Sequence, residues 1–284
     1  MPLLPDVADT PGAREVLPPA VRAFDAIALG FDARFGTWAS VAAQRRAVRR
    51  QLLRAFPRDS QLLELGAGTG DDALFLAQHG RRVVATDGSP TMVALASEKA
   101  RDAGCDDRVS VEHVTLEGLG GFAASRAGMP QFDGVYSNFA SLNCVDDLTP
   151  VGNALANLLA PGARALLVMF GPLPPLEMVV ELARGRPRNA LRRLASGPVP
   201  ARVGGHVFSV RYPSPRRVAR EMGDRFRHVA THGIGVFVPP SAAEPEITRF
   251  PRTLKVLEAL DRAARRPLAL LADHVMIELE YTGP

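Results

Sequence analysis

A glycine-rich turn between an apolar segment and a predicted helix limits most strongly what this chain can fold into. Residues Gln61–Leu65 form a short apolar run that predicts a buried strand, and three glycines in G-x-G-x-G spacing follow it: Gly66, Gly68 and Gly70. Glycine allows the backbone to turn sharply and lets a ligand lie against the main chain. The helix predicted next, over 71–79, directs its N-terminal amides at the same place. The turn therefore predicts a ligand site at the end of a buried strand.

Acidic residues surround this turn and reappear after the next predicted strand. Glu64 precedes the first glycine, Asp71 and Asp72 follow the last one, and Asp87 comes directly after an apolar strand. A carboxylate at the end of the second strand can accept both hydroxyls of a ribose. Three carboxylates around the turn repel pyrophosphate, and the spacing differs from the G-x-G-x-x-G of dinucleotide-binding proteins. The pattern favours a nucleoside ligand that carries a cationic group.

Strands and helices alternate along the first 170 residues. We predict strands over 61–65, 82–86, 109–114, 132–137 and 163–170, with helices over 71–79, 90–103 and 149–159 between them and helical periodicity over 20–56. Such alternation is typical of a parallel sheet with helices on both faces. Later segments predict strands over 207–212, 226–238 and 274–281. We expect a flexible tail over 1–19 and one domain over 20–284, with 171–225 inserted over the sheet.

Composition excludes several other classes of protein. The 284 residues are 46% hydrophobic and 23% charged, which is a globular balance. Cys105 and Cys144 are too few for a disulfide framework and lack metal-ligand spacing. No apolar run is long enough for a membrane helix, and the first residues lack a secretory pattern. We therefore expect a cytoplasmic protein without a metal site and leave its oligomeric state open.

These segments together resemble the class I S-adenosylmethionine-dependent methyltransferases, in particular the small-molecule type of quinone and natural-product biosynthesis. The resemblance is carried by Glu64–Gly70, by Asp87–Met92, by 132–138 and by 159–163. It covers residues 20–170 well and 205–281 loosely. It implies a Rossmann-like, doubly wound α/β sheet of seven strands, mostly parallel, with 274–281 as an antiparallel last strand. It also implies that the helices of 20–56 form a lid and that 171–225 lies on the substrate side.

The resemblance also implies which residues bind S-adenosylmethionine and its product S-adenosylhomocysteine. Glu64 would hold the loop and the ligand's ammonium, Asp87 the ribose hydroxyls, and Thr115 or Glu117 the adenine amine. The complete predicted set is Glu64, Gly66, Ala67, Gly68, Gly70, Asp87, Gly88, Met92, Thr115, Leu116, Ser137, Asn138, Phe24 and Phe31. The last two are followed by aspartates in the predicted lid, although one buried helix face would explain them equally well.

Candidate general bases lie in the variable second half of the chain. Methyl transfer from a sulfonium is an in-line displacement, so the protein mainly has to align the nucleophile with the methyl group. A base is needed only where the nucleophile keeps its proton at neutral pH. We take His206 as the first candidate and Tyr212 as the second, each with a surface or structural role as the alternative.

The predicted function is methyl transfer to an oxygen, nitrogen or carbon nucleophile of a small, largely hydrophobic metabolite. Segment 137–140 lacks the Asn/Asp-Pro-Pro-aromatic sequence that holds a planar amine, which argues against methylation of adenine or glutamine. An RNA or protein methyltransferase and a non-catalytic cofactor-binding scaffold are the alternatives. The arginines over 45–54 could face phosphates and those over 184–193 an anionic substrate or a membrane surface, with a solvated face as the commoner explanation of both clusters. We expect neither a nucleic-acid partner nor stable membrane insertion.

Overall fold

A central sheet organises the computed structural model, which describes residues 17–244, 246–264 and 266–284. Its strands are β1 (Gln61–Leu65), β2 (Arg82–Asp87), β3 (Val109–His113), β4 (Phe132–Ser137), β5 (Leu159–Phe170), β8 (Phe226–Ile234) and β9 (His274–Tyr281), and a separate hairpin comprises β6 (Val199–Val203) and β7 (His206–Val210). The order in the sheet is β3-β2-β1-β4-β5-β9-β8. Most of the predicted tail, residues 1–16, lies outside the described residues.

The direction of the strands confirms the predicted fold class. β1 pairs in parallel with β2 and β4, and the parallel pairing continues to β3 and β5. β9 runs antiparallel to both of its neighbours, β5 and β8. The order of the strands reverses between β1 and β4, and ligands of such sheets bind beside the carboxyl ends of the strands at this reversal.

Helices cover both faces of the sheet. They are α1 (Pro19–Asp25), α2 (Phe31–Phe35), α3 (Ala39–Ala55), α4 (Asp71–Gln78), α5 (Pro90–Asp102), α6 (Leu119–Ser125), α7 (Thr149–Leu158), α8 (Pro175–Ala183), α9 (Pro187–Leu191), α10 (Pro215–Met222) and α11 (Pro251–Ala263). Helix α5 begins as predicted, because the Ser89 hydroxyl accepts a hydrogen bond from the Met92 amide at 3.0 Å and caps the helix.

The core has one layer on each face of the sheet, because alternate residues of a strand point to opposite faces. Leu63 and Leu65 pack with α6, α7 and α10, whereas Leu62 packs with α3 and α4. Both layers are fully buried at these strand residues. The sheet is therefore rigid where β1 delivers Glu64 and the glycine turn.

Some predicted elements were wrong in extent. The strand predicted over 226–238 ends at Ile234, β5 begins at Leu159 instead of 163, and β6 was not predicted. Pro200 lies inside β6, and proline in a strand is tolerated at a sheet edge, where its missing amide is not needed. The hairpin packs through Phe208 and Val210 on Ala23 of α1, so the insertion and the first helix form one cover over the sheet.

Candidate active site

A cavity of about 780 Å³ lies at the carboxyl ends of β1 and β2, under α1 and the hairpin. Most of the predicted site residues line it, namely Glu64, Gly66, Ala67, Gly68, Asp87, Gly88, Met92, Leu116, Asn138, Phe24, Phe31 and Tyr212. Gly70, Thr115, Ser137 and His206 do not line it. The structure thus brings together predicted residues from seven separate segments between 24 and 212.

The three glycines of the turn differ in what surrounds them. All have positive φ angles, +67° at Gly66, +56° at Gly68 and +79° at Gly70, which glycine adopts without strain. A Cβ on Gly66 would lie 2.5 Å from Ser141 Cβ, and one on Gly70 would lie 2.9 Å from Ala96 Cβ. A Cβ on Gly68 would meet nothing within 4 Å. Gly66 and Gly70 therefore allow close packing of the chain, whereas Gly68 leaves open space for a ligand.

Asp87 keeps hydrogen-bonding capacity that a ligand can use. Its Oδ2 accepts the Gly68 amide at 2.8 Å and its Oδ1 accepts the Ser89 amide at 2.8 Å. Burial raises the pKa of Asp87, and these two amides act in the opposite direction. A carboxylate has about four acceptor positions, so one on each oxygen is left after the two amides are counted. This arrangement suits two adjacent hydroxyls.

Glu64 is a buried carboxylate without a partner for one oxygen. It is 2% exposed, and among the described residues its Oε2 makes no hydrogen bond of good geometry, although the buried Tyr136 hydroxyl lies near the carboxyl and lowers its pKa. Burial raises the pKa of Glu64 well above its ordinary value, and the nearby Asp72 carboxylate raises it further. Leaving such a group unpaired in a protein interior is costly. A cationic ligand in the cavity would supply the missing partner, so the residue fits the ammonium that the sequence predicts.

We expect donor binding to release a proton from Glu64. The raised pKa keeps the ligand-free carboxyl protonated to higher pH, whereas a bound ammonium favours the carboxylate. Affinity for S-adenosylhomocysteine should therefore rise as pH increases through the raised pKa. Calorimetry between about pH 5 and 8, in buffers of different ionisation enthalpy, measures the released proton. In Glu64→Gln the release should disappear and the affinity should fall; identical proton release in both proteins would contradict this assignment.

The segment after β4 is held in an unusual backbone conformation. Phe139 and Ala140 have φ angles of +51° and +68°, which are rare for residues other than glycine and often occur at functional sites. The Asn138 side chain fixes the segment, because its Nδ2 donates to Asp72 at 2.6 Å and its Oδ1 accepts the Phe139 amide at 2.8 Å. Ser137 is fully buried, and its hydroxyl donates to the Leu65 carbonyl at 2.9 Å.

Two aspartates hold the first two helices against the cavity, Asp25 of α1 at the start of α5 and Asp32 of α2 at the glycine turn, a role not predicted from the sequence. Asp25 accepts from the Ser89 hydroxyl at 2.6 Å and from the Thr91 amide at 3.0 Å. Asp32 accepts from the Thr69 hydroxyl at 2.7 Å. The sequence contained an indication of this role, since each aspartate directly follows a phenylalanine of the predicted site, Phe24 or Phe31.

Two predicted roles do not agree with the positions of the residues. His206 is exposed at the start of β7 and does not line the cavity, because the two-residue turn before it places it at the end of the hairpin. The Thr115 hydroxyl accepts the Gly118 amide at 2.9 Å and lies outside the cavity, whereas Glu117 lines it. Of the two alternatives for the adenine amine, the structure places only Glu117 at the cavity.

Comparison with known proteins identifies a similarity to methyltransferases in part of the chain. Residues 62–162 match the model of a methyltransferase domain. The bifunctional biotin biosynthesis protein BioHC of Cellvibrio japonicus is 30% identical over 158 residues, which are 54% of this chain and 28% of that protein. The chain thus spans little more than a quarter of this relative. Residues 62–162, which contain the glycine turn, are therefore similar to a methyltransferase domain, and the comparison agrees with the resemblance to S-adenosylmethionine-dependent methyltransferases found in the sequence.

Solved structures share the fold at low sequence identity. An S-adenosylmethionine-dependent methyltransferase from Listeria monocytogenes is 16% identical, with a TM-score of 0.54 over 84% of this chain and 97% of its own. The cyclase SpnF is 13% identical, with a TM-score of 0.58 over 93% and 96%. Geranyl diphosphate C-methyltransferase from Streptomyces coelicolor A3(2) is 16% identical, with a TM-score of 0.51 over 84% and 79%. Since the same fold serves a cyclase, the reaction has to be argued from the site.

No helix in the described ranges is long and apolar enough to cross a membrane.

Proposed function

We propose that this protein transfers the methyl group of S-adenosylmethionine to an oxygen, nitrogen or carbon nucleophile of a small molecule with a large apolar part. One observation carries the proposal: Glu64, Gly68 and Asp87 face one cavity with an unpaired carboxylate oxygen, open space and spare acceptor positions. These features match a ligand with an ammonium and a ribose. The bound donor would supply an activated methyl group.

The other walls of the cavity are suited to an apolar acceptor. The Phe24 and Phe208 rings lie 5.8 Å apart, and the Phe170 and Tyr212 rings 5.7 Å apart, where α1, the hairpin and β5 meet. Cys144 lines the same part, and burial raises the pKa of its thiol to about 12. The volume of about 780 Å³ lies toward the upper end of the roughly 300–1,000 Å³ typical of ligand sites. The cavity therefore has room for an acceptor beside the donor.

The lining favours catalysis by alignment. No histidine is among the described residues that line the cavity. Burial raises the pKa of Tyr212, so its phenol stays protonated at neutral pH and donates a hydrogen bond instead of removing a proton. Holding a nucleophile in line with an activated methyl group can by itself be worth about 7–11 kcal/mol.

The direct test is incubation of the protein with S-adenosylmethionine carrying a labelled methyl group and with a metabolite extract, followed by mass analysis. We expect a labelled small molecule, together with calorimetric binding of S-adenosylhomocysteine. Labelled RNA or protein without a labelled small molecule would overturn the proposed acceptor class. Donor binding without any labelled product would identify a non-catalytic cofactor-binding protein.

We expect Tyr212→Phe to slow methyl transfer and His206→Ala to leave it unchanged. The Tyr212 hydroxyl can orient an acceptor, and loss of one such hydrogen bond should lower kcat/KM by about tenfold. His206 lies outside the cavity, at the start of the strand that precedes Tyr212, and serves as the control. Rates with the acceptor identified in the extract check this, alongside an unchanged affinity for S-adenosylhomocysteine. A large rate loss in His206→Ala alone would restore that residue as the base.

A further inference from the structure

The charges that line the cavity are separated by the element that supplies them. Carboxylates come from the strand ends, from α4 and from the loop after β3: Glu64, Asp71, Asp72, Asp87 and Glu117. Three of the four arginines come from the insertion, with Arg188 on α9, Arg192 after it and Arg202 on β6, whereas Arg45 of α3 pairs with Asp71 on the carboxylate side. Carboxylates therefore predominate on the sheet side of the cavity, and the insertion side is positive.

The arginines of the insertion differ in whether carboxylates balance them. Arg192 pairs with Glu177, and Arg193 pairs with Glu177 and with Asp273, the latter at 2.7 Å. Among the described residues, no carboxylate lies within 4.0 Å of the guanidinium of Arg188 or Arg202. These two arginines carry the uncompensated charge at the cavity.

Nearby carboxylates are too few to provide partners. Residues 171–225 contain 11 arginines and only four carboxylates. One of the four, Glu181, accepts the Asn189 side-chain amide at 3.1 Å, and another, Glu221, accepts from Arg211 at 2.6 Å. A guanidinium presents five N–H donors in a planar array that matches a carboxylate or a phosphate. An anion brought by a ligand would therefore complete this side of the cavity.

Apolar side chains line the cavity on the strand that carries Arg202. Ala201 and Val203 of β6 pack against Phe208 and Phe24, whereas Arg202, between them, has an exposed side chain that also lines the cavity. A ligand that fills this region needs an apolar body next to its charged group. A free inorganic anion would leave the apolar wall unoccupied.

We propose that the methyl acceptor is an amphipathic anion, with an apolar body against the hairpin and a carboxylate or phosphate group bound by Arg188 and Arg202. This inference rests on the proposed function for the identity of the molecule as the acceptor. The anionic group fixes one end of the acceptor at the insertion. The rest of the molecule then extends toward the carboxylate side, where the donor's positive sulfur would lie.

The test compares octyl phosphate, octanoate and octanol by calorimetry, with and without saturating S-adenosylhomocysteine. We expect at least one of the two anions to bind at least about tenfold more tightly than octanol, and the phosphate and carboxylate arms to distinguish the two headgroups. In Arg188→Gln/Arg202→Gln, binding of the preferred anion should weaken by at least about tenfold while octanol binding stays constant. The control Arg216→Gln/Arg220→Gln removes the same charge from α10, outside the cavity, and should bind like the unmodified protein.

Three results would overturn the inference. The first is equal affinity for all three probes, and the second is an equal loss of anion affinity in the control variant. The third is that no probe binds, while the protein sediments with phosphatidylglycerol vesicles only when Arg188 and Arg202 are present. The last result would assign the arginines to a lipid surface. Titration of S-adenosylhomocysteine into the same samples tests the proposed function separately, because a protein that binds this compound but not the anions retains the donor site and loses only the acceptor assignment.

Discussion

Asp87→Ala should weaken binding of S-adenosylhomocysteine by roughly 100-fold or more. The residue lines the cavity and has one free acceptor position on each carboxylate oxygen. Hydrogen bonds to a charged group contribute about 1.5–3 kcal/mol each, so two of them amount to about 3–6 kcal/mol. Every 1.4 kcal/mol corresponds to a tenfold change in Kd. Calorimetric titration of the variant and the unmodified protein measures the difference.

Two further variants separate the loss of ligand contacts from damage to the fold. Asp87→Asn preserves the shape of the side chain but provides one carbonyl oxygen. Its affinity for S-adenosylhomocysteine should lie between those of the alanine variant and the unmodified protein. Asp133 also accepts a backbone amide, that of Gln61 at 2.7 Å, but lies outside the cavity. Asp133→Ala should keep full affinity. An Asp87→Ala protein that melts normally and binds normally would show that the ribose assignment is wrong.

The sequence was sufficient to predict the bounds of three strands that are mostly buried. The predicted bounds of β1, β4 and β9 coincide with the observed ones, because β1 and β4 are short and mostly apolar, and β9 ends in a clear alternation of apolar and polar residues. Strand β6 carries a proline and two exposed positions, so its pattern resembles a loop. Its position depends on packing against α1, which is distant in the sequence and leaves no local signal.

The candidate site shows the same contrast between local sequence signals, at the strand ends, and long-range packing, in the insertion. Glu64, Gly68 and Asp87 lie at strand ends, where local sequence determines both conformation and direction, and they line the cavity as a group. The prediction of His206 rests on its residue type and on its place in the insertion, where the resemblance implies the substrate pocket. Whether this histidine reached the cavity depended on how the hairpin packs, and the structure places Arg202 and Tyr212 there instead.

The sequence also could not predict which arginines of the insertion form ion pairs. The cluster over 184–193 contains Arg184, Arg188 and Arg193 in similar surroundings along the chain. In the fold, Arg193 is buried and pairs with Asp273, Arg184 pairs with Glu246 at 3.1 Å, and Arg188 lines the cavity. Only the three-dimensional pairing shows which arginine can bind a ligand, because the partners lie 62 and 80 residues away or are absent among the described residues.

Gly68→Arg should abolish binding of S-adenosylhomocysteine while the far-ultraviolet circular dichroism stays unchanged. A Cβ at this position meets nothing within 4 Å, so the larger side chain enters the cavity instead of the protein core. The guanidinium would also occupy the negative side of the cavity next to Glu64 and Asp87, where the ligand's ammonium is expected. Calorimetry should show at least about a 100-fold loss of affinity, since the variant removes both the space and the charge complementarity.

Two smaller substitutions identify the cause of that loss. Gly68→Ala adds one carbon in open space, and its cost is the strain of the +56° φ angle, about 1–2 kcal/mol. It should lower the melting temperature slightly and retain most of the affinity. Gly66→Ala would place a carbon 2.5 Å from Ser141 Cβ. It should lower the melting temperature of the protein more than it weakens binding of S-adenosylhomocysteine. If Gly68→Ala lost as much affinity as Gly68→Arg, the effect would come from backbone conformation, and the donor would not lie against this turn.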